Sequence, residues 1–269
     1  MQLPAPILKW AGGKRQLLGE ILRRIPPKIE TYFEPFFGGG AVFFALASRN
    51  VFRDAVIGDT NAELVNLYRV VRDSVDQLIP VLRSIGGNSE KDYYAVRGAC
   101  PTHPVERAAR MVYLNKTGFN GLYRVNKNGV FNVPFGAHKN PTICNEEALR
   151  SVSRALENTL ILHNDFDVML GAMTRGDFAY LDPPYLPLSD TSNFDTYQPG
   201  GFGVSETERL AWECSKLRHR GSHFLLSSSD TPDARRIFGN FHVETVQAKR
   251  SINSKGSGRG VVSELLVSG

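Results

Sequence analysis

The chain has 269 residues, 42% hydrophobic and 22% charged, a balance that suits a globular protein with a substantial core and excludes disordered and fibrous classes. Its 32 Lys and Arg against 27 Asp and Glu give a net charge of +5, mild evidence for a polyanionic partner, while Cys100, Cys144 and Cys214 are too scattered for a disulfide framework or a zinc site. The opening Met1-Gln2-Leu3-Pro4 lacks the charged start and apolar core of a signal peptide and no apolar run reaches membrane-spanning length, so a reducing cytoplasm is the expected compartment.

In chain order, the first feature is Leu8-Lys9-Trp10-Ala11-Gly12-Gly13-Lys14, followed by a helical pattern through Leu17, Leu18, Ile21 and Leu22 that Pro26-Pro27 stops. Paired glycines before a helix let backbone N–H groups approach an anion, and Lys14 adds a positive charge; the spacing is not that of a Walker A loop. Thr31-Tyr32-Phe33-Glu34-Pro35-Phe36-Phe37-Gly38-Gly39-Gly40 reads as a strand and a glycine turn, with a helix starting near Ala41. A second strand, Ala55-Val56-Ile57-Gly58, ends at Asp59, at the spacing from Gly40 where nucleotide-binding sheets place a carboxylate for ribose hydroxyls.

Helical patterns then run from Asn61 to about Thr117, with breaks expected at Pro80 and Gly86-Gly87, a stretch too long for one crossover and therefore read as an inserted subdomain. Gly121-Leu122-Tyr123-Arg124-Val125 and Val130-Phe131-Asn132-Val133 flank Asn126-Lys127-Asn128-Gly129, a strong hairpin signal. Residues 107–145 contain no Asp or Glu but carry Arg107, Arg110, Lys116, Arg124, Lys127 and Lys139, and residues 245–263 repeat the pattern with Lys249, Arg250, Lys255 and Arg259. Two acid-free basic stretches suggest a nucleic-acid groove, with the hairpin as a ribbon for the major groove; ordinary loops and a hairpin packed on the helices are the bland alternatives.

The sheet resumes with Thr159-Leu160-Ile161-Leu162-His163, with Asp165 and Phe166 just beyond its end. Next comes Phe178-Ala179-Tyr180-Leu181, an apolar run typical of a buried parallel strand, terminated by Asp182-Pro183-Pro184-Tyr185. The prolines cannot donate to a ladder, so Asp182 and Tyr185 are presented at a strand's carboxyl end, where open α/β sheets bind ligands. A carboxylate beside a backbone carbonyl accepts the hydrogens of an exocyclic amine, and a tyrosine ring stacks a heterocycle. Holding those hydrogens on two acceptors favours a pyramidal nitrogen with its lone pair aimed outward, which is orientation and electrostatic preorganisation. The bland alternative is a surface Asp-Pro-Pro turn. Residues 186–203 form a polar loop long enough for a lid, Ser205 to Leu217 reads as a helix opened by a Ser205-x-x-Glu208 capping box, Phe224-Leu225-Leu226 as a strand, and residues 241–246 and 261–267 as a final antiparallel pair.

With these motifs in place, including Asn115 to Tyr123, Phe131-Asn132-Val133-Pro134-Phe135-Gly136 and Arg250-Ser251-Ile252, the chain resembles, over nearly its whole length, the Dam-type (D12 class, alpha group) DNA adenine-N6 methyltransferases. The resemblance implies an α/β fold: a Rossmann-like, S-adenosylmethionine-dependent methyltransferase sheet, mixed and mostly parallel, with a helical and β-hairpin DNA-recognition insertion. Residues 1–60 and 146–269 would be catalytic and 61–145 the insertion. It implies S-adenosylmethionine as cofactor, near Trp10, Lys14, Glu34, Phe36, Gly38, Gly40, Asp59, Asp165, Phe166 and Asp182, and no metal. Asp182, Pro183 and Tyr185 would be catalytic toward an adenine flipped out of double-stranded DNA. Lys9, Asn120, Leu122, Arg124, Pro134, His138, Lys139, Arg250 and Asn253 would bind DNA, Arg124 having the chemistry to read guanine. GATC is the implied target and a monomer the expected state. Where many family members carry a basic residue, this chain has Ala137-His138. Two alternatives stand beside this reading: a cytosine-N4 methyltransferase, whose class typically has Ser in place of Asp182, and a DNA-binding regulator that keeps the fold without turnover.

Overall fold

The computed structural model describes residues 3–14, 16–186, 202–249 and 261–269. In chain order it comprises α1 (Leu18–Leu22), β1 (Thr31–Glu34), α2 (Ala41–Ala47), β2 (Asp54–Gly58), α3 (Ala62–Asp73), α4 (Val75–Ser84), α5 (Glu90–Gly98) and α6 (Pro104–Thr117), then a 3-10 turn (Phe119–Gly121) and α7 (Glu146–Ala155). There follow β3 (Thr159–Leu162), α8 (Phe166–Gly171), β4 (Phe178–Leu181), α9 (Val204–Arg220), β5 (His223–Ser229), α10 (Pro232–Ile237), β6 (His242–Lys249) and β7 (Val261–Ser268). The strands form one sheet in the order β3-β2-β1-β4-β5-β7-β6. By contacts the chain divides into two compact units, Met1–Gly13, Phe37–Asn50 and Ile57–His163 in one, Lys14–Phe36, Val51–Val56 and Asn164–Gly269 in the other, with β2 shared.

In the second unit β1, β4 and β5 run parallel, with Phe33 opposite Ala179 and Tyr180 opposite Leu225. β7 lies antiparallel to both β5 and β6. All four residues of β4 are buried, as a run of apolar side chains in a strand covered on both faces requires. Phe33, Phe166, Leu170, Leu181, Phe224, Phe238 and Leu265 share one core with Leu210, Cys214 and Leu217, whose helical spacing turns one stripe of α9 inward. The capping box expected at Ser205 is absent. α9 begins at Val204 with Gly203 as its N-cap and no side-chain cap, so Ser205 already lies inside the first turn, and Glu208 pairs with Arg236.

The first unit is mainly helical. Asn61 caps α3, its Oδ1 accepting from the backbone N–H groups of Glu63 and Leu64, and Leu64, Leu67, Tyr68 and Val71 form the buried stripe. Pro80 does not break the helix as expected. It lies within α4, where burial of Leu78, Ile79 and Leu82 outweighs the missing N–H, and the interruption falls earlier, at Ser74. A smaller core joins Tyr93, Tyr113 and Leu114 to Phe131 and Val133 of the hairpin. That hairpin is less regular than its sequence suggests, being held by isolated bridges at Val125↔Phe131 and Gly118↔Phe135. Its turn is closed instead by Asn126, whose Oδ1 accepts from the N–H groups of Asn128 and Val130, with Gly129 at φ 76°.

Candidate active site

The end of β4 gathers a dense polar cluster. Lys14 Nζ lies 2.7 Å from Asp182 Oδ1, the two side chains being 7% and 19% exposed. The same oxygen accepts from Ser227 Oγ on β5 at 3.0 Å, and Ser227 is in turn hydrogen-bonded to the buried Tyr180 hydroxyl at 3.0 Å. Lys14 Nζ also sits 4.5 Å from the centroid of the Tyr185 ring. The Tyr185 hydroxyl donates to Glu264 Oε2 on β7 at 2.6 Å, and Ser229 Oγ donates to the Leu186 carbonyl at 3.1 Å. Burial pushes the Asp182 carboxyl above its ordinary value, while Lys14 and the Ser227 hydroxyl pull the other way. Burial, reinforced by the Asp182 and Glu264 charges, holds the Tyr185 phenol well up, so it stays a hydrogen donor at neutral pH. Pro183 is buried and Pro184 exposed.

In the same unit Glu34, buried at the end of β1, accepts from the Tyr32 hydroxyl at 2.7 Å. Phe36 packs against Phe166 and Phe202 with ring centroids 5.5 and 5.8 Å apart. Asp165 caps α8 through the Phe166 N–H and pairs with Arg209 at 2.6 Å, and the Arg209 guanidinium lies 4.3 Å from the Phe166 ring centroid. Expected site residues Asp165, Phe166 and Phe36 therefore form one aromatic corner, tied down by an arginine that its sequence context did not signal.

In the first unit the glycine turn is built around Asp59. Asp59 Oδ2 accepts from Gly38 N–H at 3.1 Å and Oδ1 from Asn61 N–H at 2.9 Å. Burial raises this carboxyl and the backbone donors oppose the rise. Gly38 and Gly40 have φ of 49° and 67°, and added methyl groups would come within 2.8 Å of Trp10 Cδ1 and 2.5 Å of Phe37 Cζ respectively. Trp10 thus lies directly against Gly38, and its ring is 5.5 Å from that of Tyr123.

Of the residues of the insertion expected to bind DNA, Asn120, Pro134 and His138 lie around one turn. Asn120, at φ 54°, is exposed beside Phe119, whose N–H donates to the Pro134 carbonyl at 2.9 Å. His138 Nε2 contacts the Gly118 carbonyl at 3.0 Å. Lys9 joins them: Asn115 Oδ1 accepts from Lys9 N–H at 2.9 Å, and Asn115 Nδ2 donates to the carbonyls of Lys9 and Gly121 at 2.8 and 2.9 Å. Leu122 is half-buried on the small core, Lys139 is exposed, and Arg124 is exposed with Nε donating to Asn132 Oδ1 at 2.7 Å. Not every basic residue of the acid-free stretch is available to a polyanion. Arg107 pairs with Glu63 at 2.6 Å, and Arg110 donates to the carbonyls of Val96 and Arg97. Arg250, Asn253, Lys255, most of the expected lid and the Arg250-Ser251-Ile252 motif lie outside the described residues. Among the described residues there is no cluster of His, Cys, Asp or Glu suited to a metal ion, and no helix long and apolar enough to cross a membrane.

A family model described as D12 class N6 adenine-specific DNA methyltransferase matches residues 10–252. The chain is 41% identical to a type II methyltransferase of Lactococcus lactis subsp. cremoris, over 97% of this chain and 94% of that relative. It is also 41% identical to a type II methyltransferase of Methanocaldococcus jannaschii, over 94% of each chain. To the DNA adenine methylase of Escherichia coli (strain K12) it is 34% identical, over 96% of this chain and 93% of the other. The chain belongs to the D12 class of N6 adenine-specific DNA methyltransferases, with the mixed, mostly parallel sheet of that Rossmann-like enzyme fold. DNA is the substrate such an enzyme acts on, and S-adenosylmethionine is the methyl donor that its family implies.

Proposed function

We propose that this enzyme methylates the N6 amine of an adenine flipped out of duplex DNA within GATC. The observation that carries this reading is the position of the Lys14 ammonium. A nitrogen bearing hydrogens already lies 2.7 Å from Asp182 Oδ1 and 4.5 Å from the Tyr185 ring centroid, the arrangement that an exocyclic amine needs when its heterocycle stacks on that ring. In turnover Asp182 and the Pro183 carbonyl accept the amine hydrogens and Tyr185 stacks the base, so the nitrogen lone pair is directed outward. Flipping costs a few kcal/mol, recovered by that stacking and hydrogen bonding.

The residues present fit S-adenosylmethionine. The Asp59 carboxylate accepts backbone N–H groups, those of Gly38 and Asn61 among them, and retains acceptor capacity for a ribose hydroxyl. Lys14 matches a carboxylate, and Phe36 and Phe166 offer rings to an adenine bordered by Asp165. Trp10, Glu34, Gly38 and Gly40 are the further residues that the family resemblance assigns to the cofactor. When bound, the cofactor supplies an electrophilic sulfonium methyl. Lys14 must then share or exchange its Asp182 contact, which frees an acceptor for the target amine.

Residues 61–145 serve as the target-recognition part, within a catalytic domain formed by 1–60 and 146–269. Lys9, Asn120, Leu122, Arg124, Pro134, His138 and Lys139, together with Arg250 and Asn253, contact the duplex, and Arg124 reads a guanine once it leaves Asn132. The enzyme works as a cytoplasmic monomer. Asp182→Ala tests the assignment: methyl transfer should vanish while duplex binding, followed by fluorescence anisotropy, stays within a few-fold of the parent. Equal loss of both would remove Asp182 from the chemistry.

A further inference from the structure

We propose that Glu264, with Ser229 opposite it, is a positioning residue that sets the stacking ring of Tyr185. This inference rests on the reading that Tyr185 stacks the target base. Glu264 lies on β7 directly across from Ser229 of β5. That one cross-strand pair holds two consecutive points of the segment after the prolines, Glu264 accepting the Tyr185 hydroxyl at 2.6 Å and Ser229 donating to the Leu186 carbonyl at 3.1 Å. Two residues earlier on the same face of β5, Ser227 holds Asp182 at 3.0 Å. The segment from Asp182 to Leu186 is therefore pinned at its first, fourth and fifth residues by one polar face of two adjacent strands.

The physical need is clear from the local sequence. Pro183 and Pro184 have no N–H to anchor the segment to a ladder, so the residues leading into the tyrosine supply no backbone donor and side-chain bonds gain importance. A tyrosine ring left free would sample several rotamers, each presenting its face differently. A short bond from phenol to carboxylate, stronger than a neutral pair, selects one. A buried Ser229 and a half-buried Glu264 would also be costly unless partnered, and they are hydrogen-bonded to Leu186 and Tyr185 respectively.

The test compares Glu264→Ala, Glu264→Gln and Tyr185→Phe in the full-length enzyme, measuring kcat and KM for duplex DNA, Kd for S-adenosylmethionine, Tm, and the fluorescence of 2-aminopurine placed at the target adenine. Glu264→Ala should lower kcat/KM for DNA by about 10- to 100-fold, the size expected for losing one charge-assisted hydrogen bond that orients a reacting group. It should blunt the 2-aminopurine signal and leave Kd for the cofactor within about twofold. Glu264→Gln, which still accepts from the phenol, should recover most of the loss. Tyr185→Phe combined with Glu264→Ala should be no worse than either alone, because both remove the same bond. A uniform loss of Tm, cofactor affinity and activity in Glu264→Ala without rescue by Gln would make Glu264 a merely structural residue and overturn the inference, as would full activity in Glu264→Ala. If the parent enzyme itself gives no methyl transfer to DNA, the reading of the tetrad fails instead.

Discussion

Replacing Lys14 with methionine removes one side of an ion pair in which Lys14 is 7% and Asp182 19% exposed, and leaves the carboxylate to the Ser227 hydroxyl. Breaking a buried pair from one side costs about 3–5 kcal/mol, because the remaining charge stays out of water; Asp182 keeps some solvent, so about 3 kcal/mol is expected. At roughly 2–4 °C per kcal/mol for a large domain, Tm should fall by roughly 6–12 °C at neutral pH. The loss depends on pH. Burial already holds folded Asp182 above the ordinary carboxylate value against the pull of Lys14, and without Lys14 its folded pKa rises further while the unfolded value stays near ~3.9. A folded pKa above the unfolded one means that the folded state binds more protons, so stability declines as pH rises from the unfolded value through the folded one. Near pH 4 the folded variant holds Asp182 largely neutral, the unfolded chain is only about half ionised, and the parent's ion pair is itself weakened, so the two curves approach one another there. Thermal melting of parent and variant from pH 4 to 8 should show a gap that widens with pH. A gap that is flat across this range, or that widens toward acid, would refute the ion-pair account.

Further outcomes follow from the other constellations. Arg124→Ala should relax discrimination among duplexes differing by one base pair in the recognition site, by about 1–3 kcal/mol at one position, while nonspecific binding changes little; unchanged discrimination would remove Arg124 from the readout. Asn115→Ala strips three hydrogen bonds joining the Lys9 and Gly121 backbones, and should cost about 2–4 kcal/mol in denaturant unfolding, a loss under 1 kcal/mol arguing against this clasp. Gly40→Ala places a methyl group 2.5 Å from Phe37 Cζ at φ 67° and should destabilise by about 2 kcal/mol or more; a variant as stable as the parent would mean that the turn relaxes freely.

Much of this architecture is legible in the sequence because its signals are local. The apolar run ended by two prolines marks β4 and its tetrad, the glycine cluster marks the turn before α2, and Asp59 follows the second strand at nucleotide-binding spacing. What the sequence hides depends on contacts between distant residues. Ser227, Ser229 and Glu264 become informative only when β5 and β7 bring them to Asp182, Tyr185 and Leu186. Arg209 is one of many arginines until α9 sets it over Phe166. The same logic explains Pro80, where packing of α4 overrides a local breaker, and Arg107 and Arg110, which belong to an acid-free basic run yet are committed inside the protein. Charge density along a chain describes a surface only after internal pairing has been subtracted.

Labelled S-adenosylmethionine should be incubated with duplexes containing GATC, with GATC-free duplexes and with single-position variants of the site, and the modified base then identified after digestion. N6-methyladenine confined to GATC duplexes is the expected product. N6-methyladenine at another sequence would contradict the assigned readout, methylcytosine would contradict the role of Asp182, and binding of the cofactor with no transfer to any duplex would contradict the account as a whole.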